Sequence, residues 1–415
     1  MIYRKGMIAL ICQFSFKNFM SYKDETVFDF QAASIPELAN TLIVHDKATD
    51  LLSAGVVYGP NGGGKTNLLK AIACLVSTVV KPVVDLGKTR ESTIFQWSVP
   101  CIPFLMDDNS KNDPTVFQIY FRTNGNEYRY DLAIRDDEVV SETLSWRAVG
   151  GKKTGLLFDR QGNEITLGAS INKASVNKQV NPKLPYLSFL AINYDFPAIS
   201  EVISWFESCI VQSYANPIVD NRVFVAQGEK GKRTLIRALN DLDIDIADYE
   251  FSDDGKRFYT IRKVNEKLYE LPYEYESDGT RKVLASLPIM LMALRQGRFV
   301  VIDELDAKLH PKLLRYIIKL FHDPEINKNG AQLLFSSHDL TTMKNDVFRR
   351  DEIWFAYEND DHVSCIYSLY DIRDENDKHI NNTAAYDKQY LEGRYGADPY
   401  LQNILGGEWD ESEAD

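Results

Sequence analysis

The chain has 415 residues, 44% hydrophobic and 26% charged, enough for one large domain or two to three ordinary ones with a full core. A formal net charge of −13 argues against broad nonspecific nucleic-acid binding, though it leaves a local basic face open. The five cysteines, with no CxxC spacing, suggest neither a zinc site nor a disulfide framework, and no apolar run reaches about 18 residues, so a cytoplasmic protein without a membrane span is expected.

Residues 13–22 alternate as a strand and then turn, and Val27 to Phe30 reads as the return strand of a hairpin. The apolar run Ala54 to Tyr58 then leads into Gly59-Pro60-Asn61-Gly62-Gly63-Gly64-Lys65-Thr66, and Asn67 to Leu75 follows at helical spacing. This is a buried strand, a glycine-rich loop and a helix. The loop fits G-x-x-x-x-G-K-[ST], whose backbone N–H groups cradle phosphates at a helix N-terminus. Lys65 is expected to reach the β- and γ-phosphates and the Thr66 hydroxyl to ligate Mg²⁺. Asn61, Gly62, Gly63, Gly64, Lys65, Thr66 and Asn67 form the candidate nucleotide-binding stretch.

Val116 to Phe121 and Glu127 to Ile134 alternate around Asn124-Gly125, a hairpin turn signal. Residues 1–150 are therefore expected to be a β-rich lobe wrapped around the phosphate-loop unit. Residues 151–264 read as an inserted, mainly helical arm, with amphipathic stretches at Ile199 to Val211 and Thr234 to Ile246. Lys230-Gly231-Lys232-Arg233 is its best basic cluster and reads as a solvated loop rather than a DNA contact.

Residues 265–415 read as a second, C-terminal lobe. Ser277 and Asp278 are good cap residues for a helix that Pro288 should kink or interrupt. Phe299 to Ile302 reads as a central parallel strand delivering Asp303 and Glu304 to its C-terminal end, where open α/β sheets bind ligands. Asp303 is expected to hold Mg²⁺ and Glu304 to orient or deprotonate the attacking water. Leu333 to Ser337 is another buried strand, ending at His338. A strand-end histidine is more often structural, so a γ-phosphate contact for His338 rests on its order in the chain. Strands follow at 352–357 and 364–369, then a helix over 383–393 and an acidic tail over 406–415.

Phosphate loop, Ser-x-Gly helix, apolar run with Asp-Glu, then strand with His is the order of ABC-type ATPase heads, and Lys17-Asn18-Phe19 with Ser21 resembles the opening of SMC and RecF proteins. Leu309-His310-Pro311, the 332–339 and 349–355 segments and Tyr390 to Ala397 are similar to the compact AAA-type ATPases of the AbiLi/RloA anti-phage group. The resemblance implies an α/β ABC-ATPase head hydrolysing ATP with Mg²⁺, and a pair of heads sandwiching two nucleotides. It also implies an effector partner, encoded separately and of nuclease type. It puts Ser277 and Gly279 on a γ-phosphate across the dimer, although Asp278 stands where transporters have glycine. It makes Asp306 the D-loop residue and His338 the switch histidine. The Q-loop glutamine stays open between Gln96 and Gln118. The runner-up function is a RecF/SMC-like repair ATPase that grips DNA. A nuclease in its own right is a third reading, without a recognisable second active site. Either the arm from about Gly150 to Glu250 or the Tyr390–Ala397 tail, with Arg394 and Tyr395 as interface types, is expected to dock the effector, while Arg394 equally suits a structural pairing with an acidic neighbour.

Overall fold

The computed structural model describes residues 9–86, 98–173, 175–213, 219, 221–374 and 377–397. Strands β1 (Ala9–Lys17) and β2 (Thr26–Asp29) form the expected hairpin. After them, β3 (Ala54–Tyr58) runs through the phosphate loop into α1 (Lys65–Asp85). The hairpin of β4 (Thr115–Thr123) and β5 (Asn126–Arg135) turns at Asn124 and Gly125, whose φ values of 48° and 78° are the left-handed pair such a turn requires. Three more antiparallel connections add β6 (Glu138–Ala148), β7 (Gly155–Gln161) and β8 (Glu164–Leu167), completing a seven-stranded antiparallel sheet in the order β2-β1-β4-β5-β6-β7-β8.

The chain continues through α2 (Tyr186–Asn193), α3 (Pro197–Ser208), β9 (Ile210–Ser213) and α4 (Asn221–Asp241). A small antiparallel sheet follows, β10 (Asp248–Phe251), β11 (Phe258–Val264) and β12 (Lys267–Pro272). Next come α5 (Asp278–Gln296), β13 (Phe299–Asp303), α6 (Pro311–His322), β14 (Gln332–Ser336), β15 (Ile353–Glu358), β16 (Ser364–Ser368) and α7 (Tyr386–Leu391). The central sheet has six strands in the order β16-β15-β3-β14-β13-β9, parallel except for the edge strand β16. Strand β3 thus lies between β14 and β15.

Side-chain alternation along these strands separates two cores. Val57, Phe299, Val301 and Leu334 pack with α1, α2, α3 and the antiparallel sheet. Val56, Tyr58, Val300, Ile302, Leu333 and Phe335 pack with α4, α5, α6 and α7. A central strand covered on both faces must be apolar at every position, which is why β3, β13 and β14 read as continuous apolar runs. The two sheets are stitched by Gln332, fully buried, which accepts from Ile11 N at 2.7 Å and donates to Ile11 O at 3.1 Å and Leu52 O at 2.9 Å. Helix α1 is long and apolar enough to cross a membrane, yet it lies inside the first core.

The α/β class and the β-rich first lobe stand, but residues 151–264 are not a single arm. Strands β7 and β8 extend the antiparallel sheet past residue 150, α2 and α3 pack on α1, and β9 joins the central sheet. The short β9 directly follows α3, so one apolar stretch changes period from helix to strand at Cys209. Lys230 to Arg233 lies on α4 rather than a loop, and Lys232 pairs with Asp248 at 2.7 Å over the Tyr249 ring. Helix α5 passes through Pro288 uninterrupted, its neighbours on both sides being buried. Of the helix expected over 383–393, six residues are helical. Gln96 and the 406–415 tail lie outside the described residues.

Candidate active site

The glycines of the phosphate loop are required by both conformation and space. Gly59, Gly62 and Gly64 have φ of 142°, 83° and 102°, a region side chains resist. A Cβ at Gly59 would stand 2.0 Å from Ala356 O, and one at Gly63 would stand 2.6 Å from it. The loop therefore lies directly on β15. Gly64 caps α1 without a side-chain hydrogen bond, so the helix opens on bare N–H groups, the arrangement that receives an anion. Tyr22 donates to Gly64 O at 3.2 Å, and Asn67 donates to Ser21 Oγ at 2.8 Å. Asn67 thus anchors the loop to the β1–β2 turn, while Asn61 is exposed.

Lys65 is 7% exposed, and its Nζ donates to Gly59 O and Pro60 O at 2.9 Å each. Burial lowers its pKa, against the pull of Asp303, Asp306 and Glu304. Its ammonium is held by two loop carbonyls, a set that an incoming phosphate can outbid. Thr66 Oγ1 donates to the Asp303 carboxylate at 3.0 and 3.2 Å. Among the described residues no cluster of three or more His, Cys, Asp or Glu side chains is placed to hold a metal unaided. One hydroxyl and one carboxylate fit Mg²⁺, which takes few protein ligands and completes its shell with water and phosphate.

Ser336 joins the two acidic residues. Its Oγ donates to Asp303 Oδ1 at 2.6 Å and accepts from Glu304 N at 2.7 Å. Glu304 has φ of 54°, a left-handed conformation costing about 1–2 kcal/mol outside glycine. Its carbonyl accepts from Lys282 Nζ at 2.7 Å and from Ala307 N at 3.1 Å, so the strained backbone is pinned from β14 on one side and α5 on the other. Lys282 is 1% exposed, and burial brings its pKa down to about 8 against the pull of Asp306, Glu304 and Asp303. Asp306 accepts from His338 N at 2.9 Å through Oδ2, while its buried Oδ1 has no hydrogen-bond partner among the described residues. Burial, then the charge of Lys65, lowers the His338 pKa, favouring a neutral ring.

The structure therefore gathers Lys65, Thr66, Asp303, Glu304, Asp306 and His338 at the C-terminal ends of β3, β13 and β14. Ser277 and Gly279 do not join that cluster. Ser277 caps α5, accepting from Thr280 N at 3.1 Å, and Asp278 pairs with Arg281 and with Lys308 at 2.8 Å. Gln118 is engaged with Asp131 at 2.6 Å in the antiparallel sheet, which removes it as a Q-loop residue. Tyr395, expected to dock a partner, is buried beside Phe355, and of the pair only Arg394 is exposed. Ser336 and Lys282 were not singled out by sequence. The polar tip of a buried strand was the available signal for the first, and a lysine on an apolar helix face for the second.

A family model described as "AAA domain, putative AbiEii toxin, Type IV TA system" matches residues 56–344, more than two thirds of the chain. The chain belongs to this family. This AbiEii-type AAA protein is a P-loop ATPase, and the family implies hydrolysis of ATP with Mg²⁺. It is similar to solved SMC heads. One, bound to the C-winged helix domain of ScpA, is 13% identical with TM-score 0.46 over 86% of this chain and 97% of that one. The SMC head from Thermotoga maritima is 13% identical with TM-score 0.40, over 86% and 98% of the two chains. The Pyrococcus furiosus head with an extended coiled coil, bound to the C-terminal domain of ScpA, is 12% identical with TM-score 0.39 over 87% and 96%. No curated protein matches the chain.

Proposed function

We propose that this AAA protein is a nucleotide-gated switch whose ATP cycle controls a separately encoded effector in anti-phage defence. The observation that carries the ATPase part is the continuous path Thr66–Asp303–Ser336–Glu304 N, which ties the metal-ligand carboxylate to the backbone that carries the base. Lys65 would leave its loop carbonyls for the β- and γ-phosphates, and Thr66 with Asp303 would hold Mg²⁺. Glu304 orients the water for in-line attack and takes its proton, while His338 donates to the γ-phosphate. Mg²⁺ supplies charge neutralisation of the phosphates when bound. Ser277 and Gly279, exposed or half-exposed at the N-terminus of α5, would complete the site of a second head. The defence setting rests on the AbiEii description of the family. The DNA-clamp reading is weaker, because Lys232, central to the basic cluster, is already engaged by Asp248 and Tyr249.

The test measures ATP binding, hydrolysis and phage plating together, with and without the genomic neighbours. Lys65→Ala should lose nucleotide affinity and lower turnover by about 100-fold or more, at unchanged melting temperature. Glu304→Gln should bind ATP, accumulate as a head dimer by size-exclusion with light scattering, and hydrolyse about 100- to 10,000-fold more slowly. Normal turnover in either variant refutes the site. Full protection by this chain alone, with no neighbour co-purifying, refutes the gating.

A further inference from the structure

We propose that the cavity between the antiparallel sheet and the C-terminal end of α6 is a binding site for a small organic anion, an aromatic or aliphatic body carrying a carboxylate or sulfonate. The cavity measures about 520 Å³, within the size range of small-molecule sites. It lies by the N-terminal end of β14, at the opposite end of that strand from Ser336, so it is separate from the nucleotide site.

Its walls come from four stretches distant in sequence: β1 with the connection near Ile43, the β4–β5 turn with Val149, the end of α6, and residues 327–330. Ile43, Val149 and Phe321 supply apolar surface. Every charged or ionisable side chain on the wall is basic, in a chain whose net charge is −13. Carboxylates that do not line the wall answer Arg122, His322 and Lys328. Arg122 is held by Glu127 at 3.1 Å, and that carboxylate is shared with Arg147, so two guanidinium groups lean on one acid. His322 is held by Glu352 at 3.0 Å. The Nδ1 of His45 accepts from Lys47 N, which leaves Nε2 to carry its proton. Lys328 is 66% exposed and meets Glu325 only at 3.5 Å. Thr123, on the same wall, is 2% exposed and its hydroxyl has no hydrogen-bond partner among the described residues. Apolar sides with donors and no carboxylate select an amphipathic anion over a cation or a metal.

The probe is anilinonaphthalene sulfonate, titrated by fluorescence into the full chain in excess Mg-ATP and into Lys65→Ala. Saturable binding of one probe per chain is expected in both. Lys328→Glu and His45→Glu, at the exposed mouth, should each weaken it about tenfold, and Val149→Trp should abolish it. Circular dichroism checks that each variant is folded. Absence of saturable binding, or its loss in Lys65→Ala, overturns the proposal. If Val149→Trp abolishes binding while both charge reversals leave it unchanged, the cavity takes a neutral apolar molecule and the anion assignment falls. If all three variants bind as wild type, the probe sits elsewhere and the site itself falls.

Discussion

Of the regions that bury charged side chains, two do so in opposite ways. Around residues 349–352 each of the four charged side chains is answered from within the protein, although the buried Oε2 of Glu37, whose Oε1 pairs with Arg350, has no hydrogen-bond partner among the described residues. Arg349, fully buried, donates to Asp351 at 2.8 and 2.9 Å, to Glu37 O at 2.6 Å and to Ala33 O at 3.1 Å. Glu352 accepts from Arg349 N at 2.9 Å and meets His322 at 3.0 Å. Burial raises the Asp351 pKa, and Arg349 opposes the rise. At the nucleotide site the groups are left open: Lys65 rests on backbone carbonyls, and Asp306 Oδ1 has no hydrogen-bond partner among the described residues. A nearly saturated network holds the fold, whereas one whose catalytic groups are left open is arranged for something that arrives later.

That contrast can be broken most forcefully at Arg349. Arg349→Ala should cost about 3–5 kcal/mol of stability by stranding Asp351, seen as a lowered urea midpoint. The protein that remains folded should bind ATP as wild type does; weakened binding at full stability would reverse the assignment. Lys282→Met should act oppositely, lowering kcat about tenfold with little change in KM, because it releases the Glu304 carbonyl. Lys282→Arg should recover part of the rate, which a purely structural lysine would not show. The smallest effect is expected at Asn67. Asn67→Ala removes one half-buried hydrogen bond to Ser21, worth about 1 kcal/mol, and should lower the melting temperature slightly while ATP affinity changes little. A large loss of affinity would show that Asn67 touches the nucleotide.

The parts of the site legible in sequence were those packed into one stretch. Gly59 to Thr66 carries its own strand, glycines and helix, and Asp303-Glu304 ends an apolar run of unmistakable strand character. Ser336 and Lys282 act on residues 33 and 22 positions away or thereabouts in sequence, and nothing local marks a serine or lysine for such a contact. The division of residues 151–264 among three layers was hidden for a related reason. Strands as short as β8 and β9, four residues each, carry too little alternation to stand against the helices around them. Tyr395 misled because an aromatic beside an arginine suggests an interface, whereas here it fills the second core beside Phe355.

The position of β3 has a consequence for the order in which the protein comes into being. Its hydrogen-bonded neighbours are β14 and β15, both supplied by the last quarter of the chain. As the polypeptide leaves the ribosome, the antiparallel sheet from β1 to β8 can close on itself within its first 167 residues, by hairpins apart from the long-range pairing of β1 with β4. The nucleotide loop cannot follow at once. It waits, attached to an unpaired strand, until synthesis has passed Glu358 and the two flanking strands can enter beside it. Catalytic competence is therefore among the last properties acquired, and a nascent or truncated chain lacking β14 and β15 would carry the complete phosphate motif without a sheet to hold it.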